Sequence, residues 1–425
     1  MEEQGRRETF ILCKVILMAK NEKFITGIDV GTTKICCVIS EIKENSAIEI
    51  IGVGTVPSRG MRKGIIVNLE EAIKAIKGAV EEAELMSGFA VEKAFVSIAG
   101  AYVRSFNSRG VVAIAGKDRI VTKDDIKRVI EHAETVSIPQ DREIIHVLPQ
   151  EFIVDDTGSI EDPTNLNGSR LEVNVHIVTA LVSSIQNLMS CVNGAGIEVT
   201  DIILEHLATS EAALTLDEKE LGVALVDIGG GTTNFALYEK GALWHTQVFP
   251  IGGDNFTNDI AVGLHTSIPE AEKIKKKYGC ALNSLLDEDR PIEVPAIANN
   301  KPAMVSQQVL CGIIQPRTEE LFQIISDEIK RTGFENYLNA GMVLTGGGCI
   351  MQGMTEIAEQ IFDKPIRRGV PTSIGGLIDI VNSPAFSTGI GLVLYGKKFG
   401  AARRKGEHQS VLTKIFRKVQ DAFIH

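Results

Sequence analysis

The chain has 425 residues, of which 44 % are apolar, 5 % aromatic and 23 % charged, with a net charge of −11. This size and composition suit an α/β protein of two to four subdomains and exclude a long disordered or low-complexity chain. No run of eighteen apolar residues could span a membrane, the seven cysteines lack C-x-x-C spacing and the eight histidines lack metal-ligand spacing, so reduced thiols are expected and a structural zinc site is not.

Residues 1–22 precede the first predicted strand. The apolar run within them is broken by Lys14 and followed by no cleavage site, so they are expected to form an N-terminal extension outside the fold. A strand pair is predicted over 24–40 and 47–56, and its turn reads Asp29-Val30-Gly31-Thr32-Thr33-Lys34. Asn68-Leu69-Glu70-Glu71 caps a helix with Leu69, Ala72, Ile73, Ile76, Val80 and Ala83 on one face. After Gly88 the periodicity changes. Short strands at 94–98 and 110–114, a helix from Thr122 and an alternating strand at 171–177 make a small β–α insertion, placed at 91–179. A helix near 183–194 and a strand near 197–204 return to the first lobe, assigned 23–90 and 180–220.

The second lobe, 221–249 and 316–396, opens on a strand that runs into Asp227-Ile228-Gly229-Gly230-Gly231-Thr232-Thr233-Asn234. A mainly helical insertion at 250–315 contains the charge-alternating run 269–277, with Glu272 and Lys275. A helix is expected to begin at Pro316. A third glycine cluster, Gly346-Gly347-Gly348, stands between an apolar strand and a helical pattern starting at Met354. Alternating strands and helices in two similar halves predict a two-lobed α/β fold.

The duplicated turn carries the chemistry. Glycine lets backbone N–H groups approach an anion, and the hydroxyls of Thr32, Thr33, Thr232 and Thr233 add donors to the same concave surface. Lys34 supplies a point charge suited to phosphate oxygens. Asp29 and Asp227 repel phosphate directly, so both make sense with a cation between, and Mg²⁺ is typically held by one or two carboxylates together with phosphate oxygens. A pair of ordinary β-hairpins with polar turns is the competing interpretation of either copy. Neither copy fits a P-loop or a dinucleotide-binding fingerprint.

The last residues differ in character. Residues 397–425 carry eight Lys/Arg against Glu407 and Asp421, a net of +6 that leaves −17 on the remainder. An acidic body argues against general nucleic-acid binding and leaves the tail to meet an anionic partner. A basic linker is placed at 397–409. From Ser410 to the end, Val411, Leu412, Ile415, Phe416, Val419 and Phe423 share one helical face opposite Lys414, Arg417 and Lys418, the pattern of an interfacial helix lying on anionic lipid, with docking on the protein's own body as the competing interpretation.

The three glycine-bearing segments in this order resemble the actin, Hsp70 and sugar-kinase superfamily, which implies a duplicated, ribonuclease-H-like two-lobed fold binding ATP with Mg²⁺. The resemblance makes Asp29, Gly31, Thr32, Thr33 and Lys34 the first phosphate segment. It makes Asp227, Gly229, Gly230, Gly231, Thr232, Thr233 and Asn234 the second, with Gly346, Gly347 and Gly348 at the adenosine. Glu272 and Lys275 fall where that superfamily contacts the nucleoside, and a solvated helix face is their competing interpretation. Residues 204–213 look like the first inter-lobe helix, whose leading Glu205 would orient the attacking water, and 387–392 like the second.

With the inserted subdomain, the stretch 221–232, Ile313-Ile314-Gln315-Pro316-Arg317 and the amphipathic tail, the chain resembles the FtsA family of bacterial cell-division proteins from Lys23 onward. That resemblance implies an actin-like polymer, peripheral on the inner face of the cell membrane at the division septum, that tethers FtsZ and recruits later division proteins. Hydrolysis of ATP would be slow at most, with Glu205 and Asp227 in the catalytic roles. Arg317 and Glu320 would lie in the segment used for FtsZ. A small-molecule kinase of the same superfamily is the alternative, but no Asp in a sugar-binding loop offers itself as base to an acceptor alcohol. A chaperone would need a peptide-binding domain after 396, where 29 residues remain.

Overall fold

The computed structural model describes residues 23–116, 118–295 and 302–404. Two sheets carry the fold. The first comprises β1 (Phe24–Val30), β2 (Lys34–Ile42), β3 (Ile48–Pro57), β6 (Lys93–Ile98), β11 (Glu198–Leu204) and the two-residue β19 (Gly375–Gly376), in the order β11-β6-β1-β2-β3-β19. The small pair β4 (Met61–Arg62) and β5 (Ile65–Ile66) stands apart from it. The second comprises β12 (Val223–Ile228), β13 (Thr233–Glu239), β14 (Ala242–Phe249), β17 (Met342–Thr345) and β18 (Ile366–Arg368), in the order β14-β13-β12-β17-β18. Strand for strand, five of the first sheet repeat in the second. Each has an antiparallel meander of three strands whose first strand is flanked by a parallel one reached through a crossover. The central strands are almost wholly buried, which is why β2 and β12 carry the apolar runs Ile35 to Ile39 and Val223 to Val226.

Helices cover these sheets. The helix α1 (Leu69–Ser87) is capped by the Asn68 side chain and buries Ala72, Ala75, Ile76, Ala79, Val80 and Ala83 against the first sheet. The helices α3 (Val182–Gly194), α4 (Glu205–Ala213) and α11 (Ser387–Arg404) contribute to the same core. The second sheet packs on α6 (Gly253–Gly263), α8 (Gln307–Thr332) and α9 (Met354–Phe362), with α7 (Ile268–Tyr278) alongside. Two short helices, α5 (Leu216–Leu221) and α10 (Ile378–Val381), complete the set.

The inserted subdomain has its own core. The strands β7 (Arg104–Ala113), β8 (Arg142–Val154), β9 (Thr157–Ile160) and β10 (Arg170–Leu181) form a sheet in the order β7-β10-β8-β9. The helix α2 (Lys123–Glu134), held by a Thr122/Asp125 capping box, lies against it and buries Val129 and Ala133 with Phe152, Leu171 and Val173. The insertion also touches the edge strand of the second sheet. Ser105 Oγ donates to the Thr246 carbonyl at 2.9 Å and Gln150 Nε2 to the Leu243 carbonyl at 3.1 Å. Between them the buried His176 ring meets Asn107 Oδ1 at 2.6 Å and Thr246 Oγ1 at 3.0 Å.

Burial pushes the His176 pKa down to about 3, and the nearby His245 and His206 act in the same direction. The unfolded chain therefore takes up a proton near the ordinary value of 6.5, before the folded one does. This contribution to stability is complete above about pH 6.5 and is lost as pH falls toward 3. Replacing His176→Gln should flatten the fall in unfolding free energy between pH 6.5 and 4 by up to ~1.4 kcal/mol per pH unit. Urea unfolding at stepped pH measures this; an unchanged slope would contradict it.

Three expectations need correction, and one strand was not anticipated. Strand β6 lies in the first sheet between β1 and β11, so the insertion starts after it and not at 91. The long strand β8 escaped notice because Pro149 interrupts its pattern; the proline sits beside a bulge that leaves Gln150 outside the ladder and free to reach β14. The helix assigned to Pro316 begins at Gln307, with the proline in its interior. Burial of Leu310, Cys311, Ile314, Leu321 and Phe322 outweighs the lost bond, and the preceding stretch also holds a hairpin, β15 (Pro291–Val294) with β16 (Ala303–Ser306). Finally, α11 runs past Gly396 through Arg404, so 397–404 is helix and not linker. Phe399 packs on the core beside Tyr395, with ring centroids 4.5 Å apart.

Candidate functional site

The two turns face each other and touch. Each is closed by the same bond, Gly31 N–H to the Lys34 carbonyl at 3.1 Å and Gly229 N–H to the Thr232 carbonyl at 2.9 Å. Counting from the aspartates, Thr32 and Thr33 are therefore equivalent to Gly230 and Gly231, and Thr232 stands where Lys34 does. The threonine pairs of the two copies therefore do not occupy equivalent places. The difference has a use: the glycines of one turn receive the threonines of the other. A Cβ added to Gly230 would lie 1.6 Å from Thr33 Oγ1, and one on Gly231 would lie 2.8 Å from Thr32 Oγ1.

Three carboxylates gather behind this contact. Asp29, at the end of β1, accepts a hydrogen bond from Ser97 Oγ at 2.8 Å. Asp227, at the end of β12, accepts from Thr209 Oγ1 at 3.0 Å and from Thr388 Oγ1 at 3.4 Å. Glu205 opens α4, half-buried, with the Asn234 and Thr388 side chains beside it. Burial raises the pKa of all three. That of Asp227 reaches about 6, and Glu205 is held well above the carboxylate range by burial and then by repulsion from Asp227 and Asp29. Lys34 offsets part of this charge for both aspartates. Its ammonium donates to the Ala385 carbonyl and stands 4.2 Å from the centre of the Phe386 ring.

The third glycine cluster closes the same site. Gly346 has φ of 81°, and a Cβ there would fall 2.2 Å from Asp227 Oδ1, so only glycine lets this turn pass so near the carboxylate. Its N–H donates to the Pro384 carbonyl at 3.2 Å, tying it to the 384–386 segment that Lys34 meets. Glu272 and Lys275 reach the second turn at one remove. Lys275 pairs with Glu272 at 2.7 Å and donates to the Gly253 carbonyl at 2.8 Å, while Gly253 N–H and Asp254 N–H donate to the carbonyls of Gly229 and Gly230. These two side chains are thus part of a bonded network and not a freely solvated face.

Asp29 and Asp227 with Glu205 make an oxygen-rich, poorly neutralised donor set, which suits a hard divalent cation sharing oxygens with an anionic ligand. Among the described residues no group of three or more His, Cys, Asp or Glu side chains is arranged to hold a metal by itself. Arg317 lies away from this cluster, on α8, in ion pairs with Asp259 at 2.6 Å and with Glu320. Val411 to Phe423 of the amphipathic pattern lie outside the described residues.

Sequence reasoning singled out the segments 204–213 and 387–392 but not the roles of Thr209 and Thr388 within them, and it missed Ser97 and the 252–254 and 384–386 segments. Ser97 left one signal, a lone hydroxyl in an otherwise apolar strand; the others acquire meaning only from partners distant in the chain.

Comparison with known proteins gives two family models: "Cell division protein FtsA" over residues 224–391 and "SHS2 domain inserted in FTSA" over 100–179. The cell division protein FtsA of Pseudomonas aeruginosa is 46 % identical over 374 residues, 88 % of this chain and 89 % of the relative. Among solved structures, a PilM–PilN type IV pilus biogenesis complex matches with a TM-score of 0.65 at 16 % identity, covering 88 % of this chain and 98 % of that one. The ADP-bound MreB5 of Spiroplasma citri matches with a TM-score of 0.56 at 13 % identity, over 90 % and 98 % respectively.

Proposed function

Since the chain belongs to the FtsA family of cell-division proteins, with the actin/Hsp70-type ATPase fold, we propose that it is an ATP-dependent, membrane-tethered filament protein that anchors the FtsZ ring and recruits later division proteins. The observation that carries the proposal is the direct meeting of the two turns over Asp29, Asp227 and Glu205, with Gly346 against the same carboxylate. The turns Gly31 to Lys34 and Gly229 to Asn234 would hold the phosphates from opposite lobes through the backbone N–H groups that their closing bonds leave over, Lys34 adding charge. Gly346, Gly347 and Gly348 would border the adenosine, and Glu272 and Lys275 would brace the second turn near the nucleoside. Asp29 and Asp227 would hold Mg²⁺, whose part is to neutralise the phosphate charge. Glu205 would orient a water for slow hydrolysis.

The shared strand order of the two sheets supports a ribonuclease-H-like duplication, and with it closure of two lobes on one ligand. Bound nucleotide would then set lobe angle and filament geometry through its different contacts in the two states. The insertion, up to 179, would serve self-association and later division proteins, and the α8 surface at Arg317 and Glu320 would serve FtsZ. Residues 250–315 would form the outer part of the second lobe. Among the described residues no helix is long and apolar enough to cross a membrane. Attachment would rest on 410–425, with Val411, Leu412, Ile415, Phe416, Val419 and Phe423 in the lipid boundary and Lys414, Arg417 and Lys418 at anionic headgroups.

Electron microscopy on anionic lipid monolayers tests the proposal. With ATP, aligned filaments are expected; with Asp227→Asn, filaments should be absent or sparse. Equal filaments from both, with or without ATP, would reject the nucleotide's role.

A further inference from the structure

The helices α4 and α11 cross so closely at Gly391 that a Cβ there would lie 1.9 Å from the Ala208 carbonyl oxygen. Beside the crossing two buried threonine hydroxyls meet, one from each helix. Thr209 and Thr388, 179 positions apart, have their Oγ1 atoms 3.0 Å from each other. Both point at the same atom, Asp227 Oδ2, at 3.0 Å and 3.4 Å, and the Thr388 side chain lies beside Glu205.

The proton count gives the pair a direction. A threonine hydroxyl has one proton to donate and lone pairs to accept. With the Thr209 proton given to Asp227 at the shorter distance, the bond between the hydroxyls uses the Thr388 proton. Thr388 therefore has two acceptors in reach, the Thr209 oxygen and Asp227. Its neighbour Ser387 is pinned by Thr345 at 2.8 Å, so the backbone that delivers Thr388 is held independently of its own hydroxyl.

We propose that Thr388, working through Thr209, is a positioning residue that fixes the orientation of the Asp227 carboxylate between Glu205 and a divalent cation bound with a nucleoside triphosphate. The final helix thereby supplies part of the geometry of the cleft. This inference rests on the assignment of Asp227 to the cation. Valine reproduces the shape of threonine without the proton, and serine keeps the proton without the methyl, so the two substitutions separate packing from hydrogen bonding.

The test is calorimetric titration of the full chain with ATP, once with excess Mg²⁺ and once with EDTA. Thr388→Val should lose about 3- to 10-fold of the Mg²⁺-dependent gain in affinity, as expected for a lost buried hydrogen bond between hydroxyls. Its affinity in EDTA should stay within about twofold of the parent, and Thr388→Ser should restore the gain. Thr209→Val should reproduce the selective loss if Thr388→Val folds poorly. Equal losses with and without Mg²⁺, an unchanged Mg²⁺ gain, or no rescue by serine would overturn the inference. Should the parent protein bind no ATP at all, the cleft assignment itself fails, a result distinct from any of these.

Discussion

A chain ending at Arg404 is expected to lose binding to anionic vesicles while keeping its fold and its nucleotide affinity. The cut follows α11 to its last described residue, so Phe399 stays on the core; a cut at Gly396 would remove that packing and confuse two effects. What is lost is the Val411-to-Phe423 apolar face together with Lys414, Arg417 and Lys418. Each basic residue near an anionic surface contributes about 1 kcal/mol, and each buried methylene about 0.8 kcal/mol, so the segment's removal should reduce the partition coefficient at least ~100-fold. Phe416→Glu in the full chain should lower it in the same direction. Because one such tail is a reversible anchor, filaments would hold by avidity, and vesicle binding should steepen with protein concentration when ATP is present. Co-sedimentation with phosphatidylserine-containing vesicles reads both effects. Full recruitment of the shortened chain would place the attachment elsewhere.

A side chain at Gly230 is expected to be nearly as damaging to nucleotide binding. Its Cβ would stand 1.6 Å from Thr33 Oγ1 and 2.8 Å from Thr33 Cβ. Rotation of the threonine could relieve the first contact but not the second, so Gly230→Val must push the two turns apart. Overpacking of this kind costs typically 1–3 kcal/mol, and misplaced phosphate donors add to it, giving ~100-fold weaker ATP binding. The fold should survive, since the strands on either side pair independently. Combining Gly230→Ala with Thr33→Gly moves the side chain from one turn to the other and should recover part of the loss relative to Gly230→Ala alone. That non-additivity is the signature of direct contact. If the two substitutions simply add, the turns do not act as one site.

Most of what positions this site was legible in the sequence because it is local. An apolar strand, an Asp, a Gly/Thr turn and another apolar strand specify β1–β2 and β12–β13 without help from elsewhere, and the capped helix from Leu69 follows its periodicity. The failures share a cause. Both turns carry a threonine pair, yet backbone hydrogen bonding aligns Thr32 and Thr33 with Gly230 and Gly231. Local similarity could not reveal that the turns differ so that they can fit each other. Pro149 and Pro316 pointed away from β8 and the interior of α8, where a bulge and a buried apolar stripe overrode local preference. Phe399 looked like part of a basic linker because the core it joins is built from residues near the other end of the chain. Thr209 and Thr388 are ordinary helix residues until the fold points both at Asp227.

The most direct measurement is a crystal structure of the full chain with magnesium and a non-hydrolysable ATP analogue. The prediction is one nucleotide with its phosphates between Gly31 to Lys34 on one side and Gly229 to Asn234 on the other, the metal within reach of Asp29 or Asp227. Phosphates bound outside that junction, or contacted by one turn alone, would contradict the account.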